Sequence, residues 1–333
     1  MKQSIYYFLL LIVVSGTAYI KCNDQKTIQY KSTLSENWKI QSSKELNVDG
    51  DIISSLDYND SSWYDALVPS TVFIIHANPD KNPKIYKEPN LIDYPKEQIN
   101  SSRWYRVKFN IENKELVELL EFEGINSKAN IWINGKKIAS TDKIPNVYGQ
   151  FRLQINKFTK QGANVLAIEV FPPKTDDFSV GYVDWNLETN DDIGIFRNVN
   201  LLLNNGVSIA NPYILAKFNN NDYNQTDLYF SVNLQNHWNI DLEGVLNLKI
   251  GNVTIKQKLT IRANEKKIVT ISARDNENLN IKKSKLLQSN NIGNPILYKA
   301  SVEFLINGRI SDITEFAIKV PSNGKLVFIK LID

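Results

Sequence analysis

Cysteine is nearly absent from this sequence. Cys22 is the only one in 333 residues, so no disulfide can form within the chain. Lys21, just before it, stands where a lipid-attachment site needs a small residue, which argues against lipidation. Histidine is almost as scarce: His76 and His237 are the only two, and no His/Cys cluster has the spacing of a metal site. His237 lies in QNHWN, in a turn after a strand, where a surface or locally satisfied ring is expected rather than a catalytic base. A Gly-x-Ser-x-Gly elbow, a phosphate-binding loop and a dinucleotide fingerprint are also missing. Asp176-Asp177 and Asp191-Asp192 read as solvated loop acids. No metal and no cofactor are therefore expected. Net charge is only +3 with lysines scattered, which gives no basic patch for nucleic acid.

Long apolar runs are missing too, apart from the N-terminus. There Lys2 precedes the apolar stretch Ile5 to Val14, and the small residues Gly16, Thr17 and Ala18 follow. Charged start, short apolar run and small residues are the order of a secretory signal peptide, expected over residues 1–18. The run falls short of the roughly 20 residues of a membrane span, so the mature chain is expected to have none. A secreted or secretory/lysosomal location follows, or the periplasm in a bacterium. Asn59, Asn100, Asn224 and Asn252 open Asn-x-Ser/Thr triplets, acceptors for glycan in a eukaryotic secretory pathway.

What is present in quantity is period-two alternation. Tyr105, Val107, Phe109 and Ile111 point one way, and Trp104, Arg106 and Lys108 the other. Ala129, Ile131 and Ile133 alternate with Asn130 and Trp132 and run into Asn134-Gly135, a pair suited to a type I′ turn. Phe151, Leu153 and Ile155 repeat the pattern, and the strand from Asn164 to Phe171 is closed by Pro172-Pro173. After Asn204-Asn205-Gly206 come some seven plainer strands in about 115 residues, interrupted by a polar loop near 274–294. The expected fold is all-β: a jelly-roll sandwich over 27–205, then an immunoglobulin-like sandwich over 206–320.

One stretch departs from this texture. GYVDWNLETNDDIGIFRNV, from Gly181 to Val199, sets Asp184, Trp185 and Asn186 side by side. An indole offers an apolar face to a pyranose, a carboxylate accepts strongly from its hydroxyls, and an amide both donates and accepts. The same residues would equally serve as a Trp packed under a loop with an Asp capping a turn. Hydrolysing a glycoside takes more, since retaining enzymes hold two carboxylates about 5–5.5 Å apart. Nothing in the spacing of the 36 acidic residues singles out such a pair.

Several stretches in order carry a resemblance: VPSTVF at Val68–Phe73, RWYRVKFNI at Arg103–Ile111, FEGINSKANIWINGKKIAS at Phe122–Ser140, NVLAIEVFPP at Asn164–Pro173, then GYVDWN and GIFRNV. From about Asn37 to Leu203 the chain resembles the N-terminal, galactose-binding-like domain of glycoside hydrolase family 2, in the branch of exo-β-D-glucosaminidases and endo-β-mannosidases. The likeness continues more weakly through the family's immunoglobulin-like domain, to EFAIK at Glu315–Lys319. It implies that a TIM barrel carries the catalytic glutamates, while the first domain lends a loop to the rim of the active site. It also implies that Asp184, Trp185 and Asn186 contact substrate, and that Arg197 is structural, pairing with an acid under the loop.

Two departures stand out: Leu187-Glu188-Thr189-Asn190 replaces a proline-rich run, and Phe196 stands where a Trp is expected. SNGKLVFIK at Ser322–Lys330 resembles the lead-in to the first barrel strand, so 321–333 is expected to be a truncated lead-in, with no TIM barrel and no catalytic residue in the chain. The expected function is the non-catalytic part of a glycosidase, inactive alone. Its expected partners are a β-linked glucosamine- or mannose-containing glycan and a separate catalytic-barrel polypeptide. A secreted carbohydrate-binding module without catalysis is the alternative.

Overall fold

The computed structural model describes residues 31–72, 75, 101–126, 128–144, 149–172, 193–218, 225–282 and 297–319. The signal-peptide expectation, Cys22, His76, Asn100, Asn224 and the lead-in 321–333 lie outside them. Twenty strands are described, β1 to β20 in chain order, and every pairing among them is antiparallel.

The first sandwich has a four-stranded sheet in the order β1 (Lys31–Thr33), β12 (Val199–Asn204), β6 (Val117–Phe122) and β9 (Phe151–Gln154). Facing it are six strands in the order β3 (Tyr64–Ala66), β2 (Trp38–Ser42), β5 (Arg103–Ile111), β10 (Gly162–Phe171), β7 (Lys128–Ile133) and β8 (Lys136–Ala139). A small ladder joins β4 (Ser70–Thr71) to β11 (Gly194–Ile195). The alternation works as read: Tyr105, Val107, Phe109 and Ile111 enter one core with Leu166, Ile168, Ile131 and Phe122.

The opposite face of the six-stranded sheet is not left to water. Trp104, Trp132 and Ala167 form a second cluster with Ile53 and Trp63, brought by a segment containing the short helix α1 (Gly50–Ile53). Gly50 is obligatory there, since a Cβ would lie 2.3 Å from the Trp132 ring. Arg106, expected on an outward face, is only 1% exposed. Its Nε donates to the Ile53 carbonyl at 2.9 Å and Nη2 to that of Ser55 at 2.8 Å, while Nη1 pairs with Asp60. Backbone carbonyls at the end of α1 thus replace the water the guanidinium gives up.

In the second sandwich β13 (Val207–Phe218), β14 (Gln225–Asn236) and β17 (Lys266–Ser272) form one sheet, with β18 (Asn280–Lys282) also on β14. The other sheet runs β16 (Val253–Ile261), β15 (Leu242–Ile250), β19 (Leu297–Ile306) and β20 (Arg309–Lys319). Phe230, Val232, Leu246, Leu248, Val302 and Phe304 fill the space between. The β18 strand corrects the reading of 274–294 as loop throughout. Leu279 is fully buried, and Asn280 Nδ2 reaches Asp227 Oδ1 at 2.6 Å, which ties that stretch to β14.

The sandwiches meet at a hydrogen-bonded junction. Asn204 Oδ1 accepts from Gly206 N at 2.9 Å, and Asn205 Nδ2 donates to the Ile310 carbonyl at 2.8 Å. A bulge in β20, opposite Phe304 and Leu305, turns Ser311 inward. Its hydroxyl accepts from Val207 N at 3.0 Å and donates to Val207 O at 2.8 Å.

Candidate functional site

Asp184, Trp185 and Asn186 fall in 173–192, outside the described residues, as do Asp176, Asp177, Asp191 and Asp192. What is described is the pair of footings between which that stretch runs. At one end Phe171 closes β10, paired with Lys128 at the start of β7. At the other, Gly194 pairs with Thr71, and its N–H and C=O bond to Asn126 at 2.7 and 2.8 Å. Val72 N donates to the Ile193 carbonyl at 2.9 Å, and Ile193 and Ile195 are both fully buried. Ala139, Phe122 and Phe151 end or begin their strands on this same edge of the sandwich, as the β7–β8 and β6–β9 registers require.

The Gly-Ile-Phe-Arg run reads as anchor. Gly194 takes φ 154°, and a Cβ on it would lie 2.8 Å from both the Ser70 carbonyl and Thr71 Cα. Phe196 and the stem of Arg197 cover Gly124, where a Cβ would meet the Phe196 ring at 2.7 Å. Arg197 is exposed, with its guanidinium 5.5 Å from the centre of the Phe196 ring. The expected ion pair with an acid under the loop is not formed among the described residues: the Arg197 stem lies on the surface over Gly124, with its charge over an aromatic face.

The structure brings Glu121 and Glu123 together on the outer face of the four-stranded sheet. The buried Asn200 donates to both, at 3.1 and 3.2 Å. Arg152 Nη2 is 2.8 Å from Glu121, and Lys31 is 4.0 Å from Glu123. These carboxylates are held as acceptors in a network that fastens β12 to β6. Elsewhere burial pushes Glu169 above the usual carboxylate range, against the opposing hydrogen bonds of Ser102 and Asn130. No group of three or more His, Cys, Asp or Glu residues able to hold a metal occurs among the described residues.

A polar cleft of about 500 Å³ opens between the sandwiches. On one wall are Leu119, Arg152 and Gln154 of β6 and β9, and on the other Ser208, His237 and the outer face of β13, β14 and β17. Arg152 Nη1 crosses the junction to the Ile209 carbonyl at 2.9 Å. Ile209 N donates to Asp312 Oδ2 at 2.7 Å. Burial pushes Asp312 up to about 6, against the N–H groups of Ile209 and Ile313 and the Arg152 charge, with Glu121 adding to the rise. His237 Nε2 is 2.8 Å from Ser208 Oγ, while its buried Nδ1 has no hydrogen-bond partner among the described residues. Burial, with the charges of Arg152 and Lys266, pushes it down to about 4.

Comparison with known proteins decides the family of the first sandwich. Residues 38–196 match the model of the glycosyl hydrolase 2 galactose-binding domain-like family. This segment is a family 2 glycosyl hydrolase domain. The chain is 27% identical over 69% of its length to an exo-β-D-glucosaminidase of Amycolatopsis orientalis, of which it covers 22%. To the exo-β-D-glucosaminidase of Streptomyces avermitilis it is 23% identical over 88% of its length, covering 33% of that protein. The fold superposes on the Amycolatopsis orientalis exo-chitosanase CsxA with a TM-score of 0.78 at 23% identity, over 87% of this chain and 33% of that one. The β-glucuronidase of Bacteroides uniformis gives 0.65 at 18% identity. The chain thus spans about a third or less of the length of the relatives it matches, and corresponds to their N-terminal region. No α/β barrel is found among the described residues.

Proposed function

We propose that this chain is the non-catalytic, sugar-contacting part of a family 2 glycosidase whose substrate is β-linked glucosamine. The observation that carries this is the match over 38–196 to a family 2 galactose-binding-like domain, in a chain whose relatives are named exo-β-D-glucosaminidases. The tight footings at Phe171 and Gly194 support it, because a rigid frame is what a substrate-contacting loop requires. Within that loop Asp184 and Asn186 bond the sugar hydroxyls and Trp185 covers its apolar face. The bond-breaking acids belong to a catalytic barrel outside these sandwiches, and both parts act after export.

The purified chain should leave p-nitrophenyl β-D-glucosaminide intact. Turnover that disappears on replacing an acid of this chain would end the non-catalytic reading. Glucosamine oligomers should bind in the millimolar range, because a few surface contacts barely offset the cost of association. Trp185→Ala should abolish that binding, and an unchanged affinity would remove the loop from the substrate site. Mannose oligomers, tested in parallel, should bind less tightly. Removal of residues 1–18 should keep the expressed chain inside the cell.

A further inference from the structure

The cleft between the sandwiches is built for a ligand of a different charge. Strand alternation sets its inner surface in rows: Arg152 and Gln154 on β9, Asn233 and Gln235 on β14, Lys266 and Ile268 on β17. The register makes Gln235 the direct neighbour of Lys266, and Asn233 that of Ile268. No carboxylate lines the cleft. Lys266 is exposed and makes no ion pair among the described residues, while Arg152 on the opposite wall is already paired with Glu121 and bonded to the Ile209 carbonyl, which leaves Lys266 as the cation open to an anion. A space of about 500 Å³ at a domain junction is the size and place of a small-molecule site.

The uncharged groups narrow the ligand further. Side-chain amides both donate and accept, so Gln154, Asn233 and Gln235 suit a molecule carrying several hydroxyls. Ile268 is 70% exposed in the middle of a strand. It gives one patch for a C–H face beside the polar rows.

We propose that this cleft binds a small polyhydroxylated anion, a sugar acid or a sugar phosphate. Lys266 meets the anionic group, the three amides meet the hydroxyls, and Ile268 packs on the apolar face. The depressed titration of His237 comes first from its burial, and the Lys266 charge that adds to it also favours an anion nearby. A cationic amino sugar is disfavoured by the same field.

The test titrates the full chain at neutral pH with D-glucuronate, D-glucose 6-phosphate, D-glucose and D-glucosamine, using calorimetry and the imidazole signals of the two histidines. One or both anions should bind saturably and shift the His237 resonance. The neutral and cationic sugars should bind at least about tenfold more weakly, which is roughly 1.4 kcal/mol. Glucuronate binding alone would assign a carboxylate ligand, and glucose 6-phosphate binding alone a phosphate ligand. Lys266→Glu should weaken binding about tenfold or more while melting like the parent, and Lys266→Arg should restore it. No saturable binding by either anion, equal binding of glucose, or full affinity in Lys266→Glu would each overturn the proposal.

Discussion

Arg106 carries a full charge in a site that is 1% exposed, and its only carboxylate partner among the described residues is Asp60. Removing that partner leaves a buried cation compensated by two carbonyls and by the Tyr58 ring, whose centre lies 5.7 Å from the guanidinium carbon. Asp60→Ala is expected to cost about 3 kcal/mol, with Asp60→Asn milder, read from urea midpoints. Two other residues set opposite pH responses. Asp312 titrates near 6 when folded against 3.8 unfolded, so between those values the folded chain holds a proton the unfolded one has lost. Its contribution therefore rises as pH falls through that window. His237, near 4 folded against 6.5 unfolded, refuses a proton the unfolded chain takes, so its contribution falls as pH falls. Between about pH 7 and pH 4.5, Asp312→Asn should lose more melting temperature than the parent, and His237→Gln less. None of this was legible in the sequence. Arg106 meets its carbonyl partner 53 positions away, and Ile209 meets Asp312 at a separation of 103.

At the scale of elements the sequence was far more informative, because alternation and turn chemistry are local. The β7–β8 hairpin has Asn134 at φ 47° and Gly135 at φ 83°, the positive values that its dipeptide announced. A Cβ at Gly135 would meet nothing closer than 3.4 Å, so Gly135→Ala isolates the backbone cost. That cost should be roughly 1–2 kcal/mol by chemical denaturation. Asn134→Ala should cost more. It also removes bonds from Nδ2 to the Phe158 carbonyl and Asn164, and from Val165 N to Oδ1. Elements that owe their existence to distant contacts were not legible. The helix α1 covers a face shared by Trp132 and Arg106, and β18 forms beside β14 in a stretch whose composition says loop. The candidate loop was visible as a motif, while its footings at Gly194 and Asn126 became apparent only once the strands were paired.

The whole molecule depends on a junction where backbone and side chains of both sandwiches interlock. Arg152 is the piece that reaches across, bonding Ile209 while paired with Glu121 of its own sheet. Arg152→Ala should leave each sandwich folded but widen the distribution of angles between them. Small-angle scattering and residual dipolar couplings would detect this, and an unchanged profile would show that the Ser311 and Asn205 bonds suffice.

Gly194 has a further implication. The bonds that seat it and its neighbour Ile193 run through main chain only, to Asn126 and Val72. A mount of that kind is indifferent to the side chains inserted between its posts. The stretch between these posts can therefore be exchanged, much as a tool holder accepts different bits, without retuning the sandwich beneath.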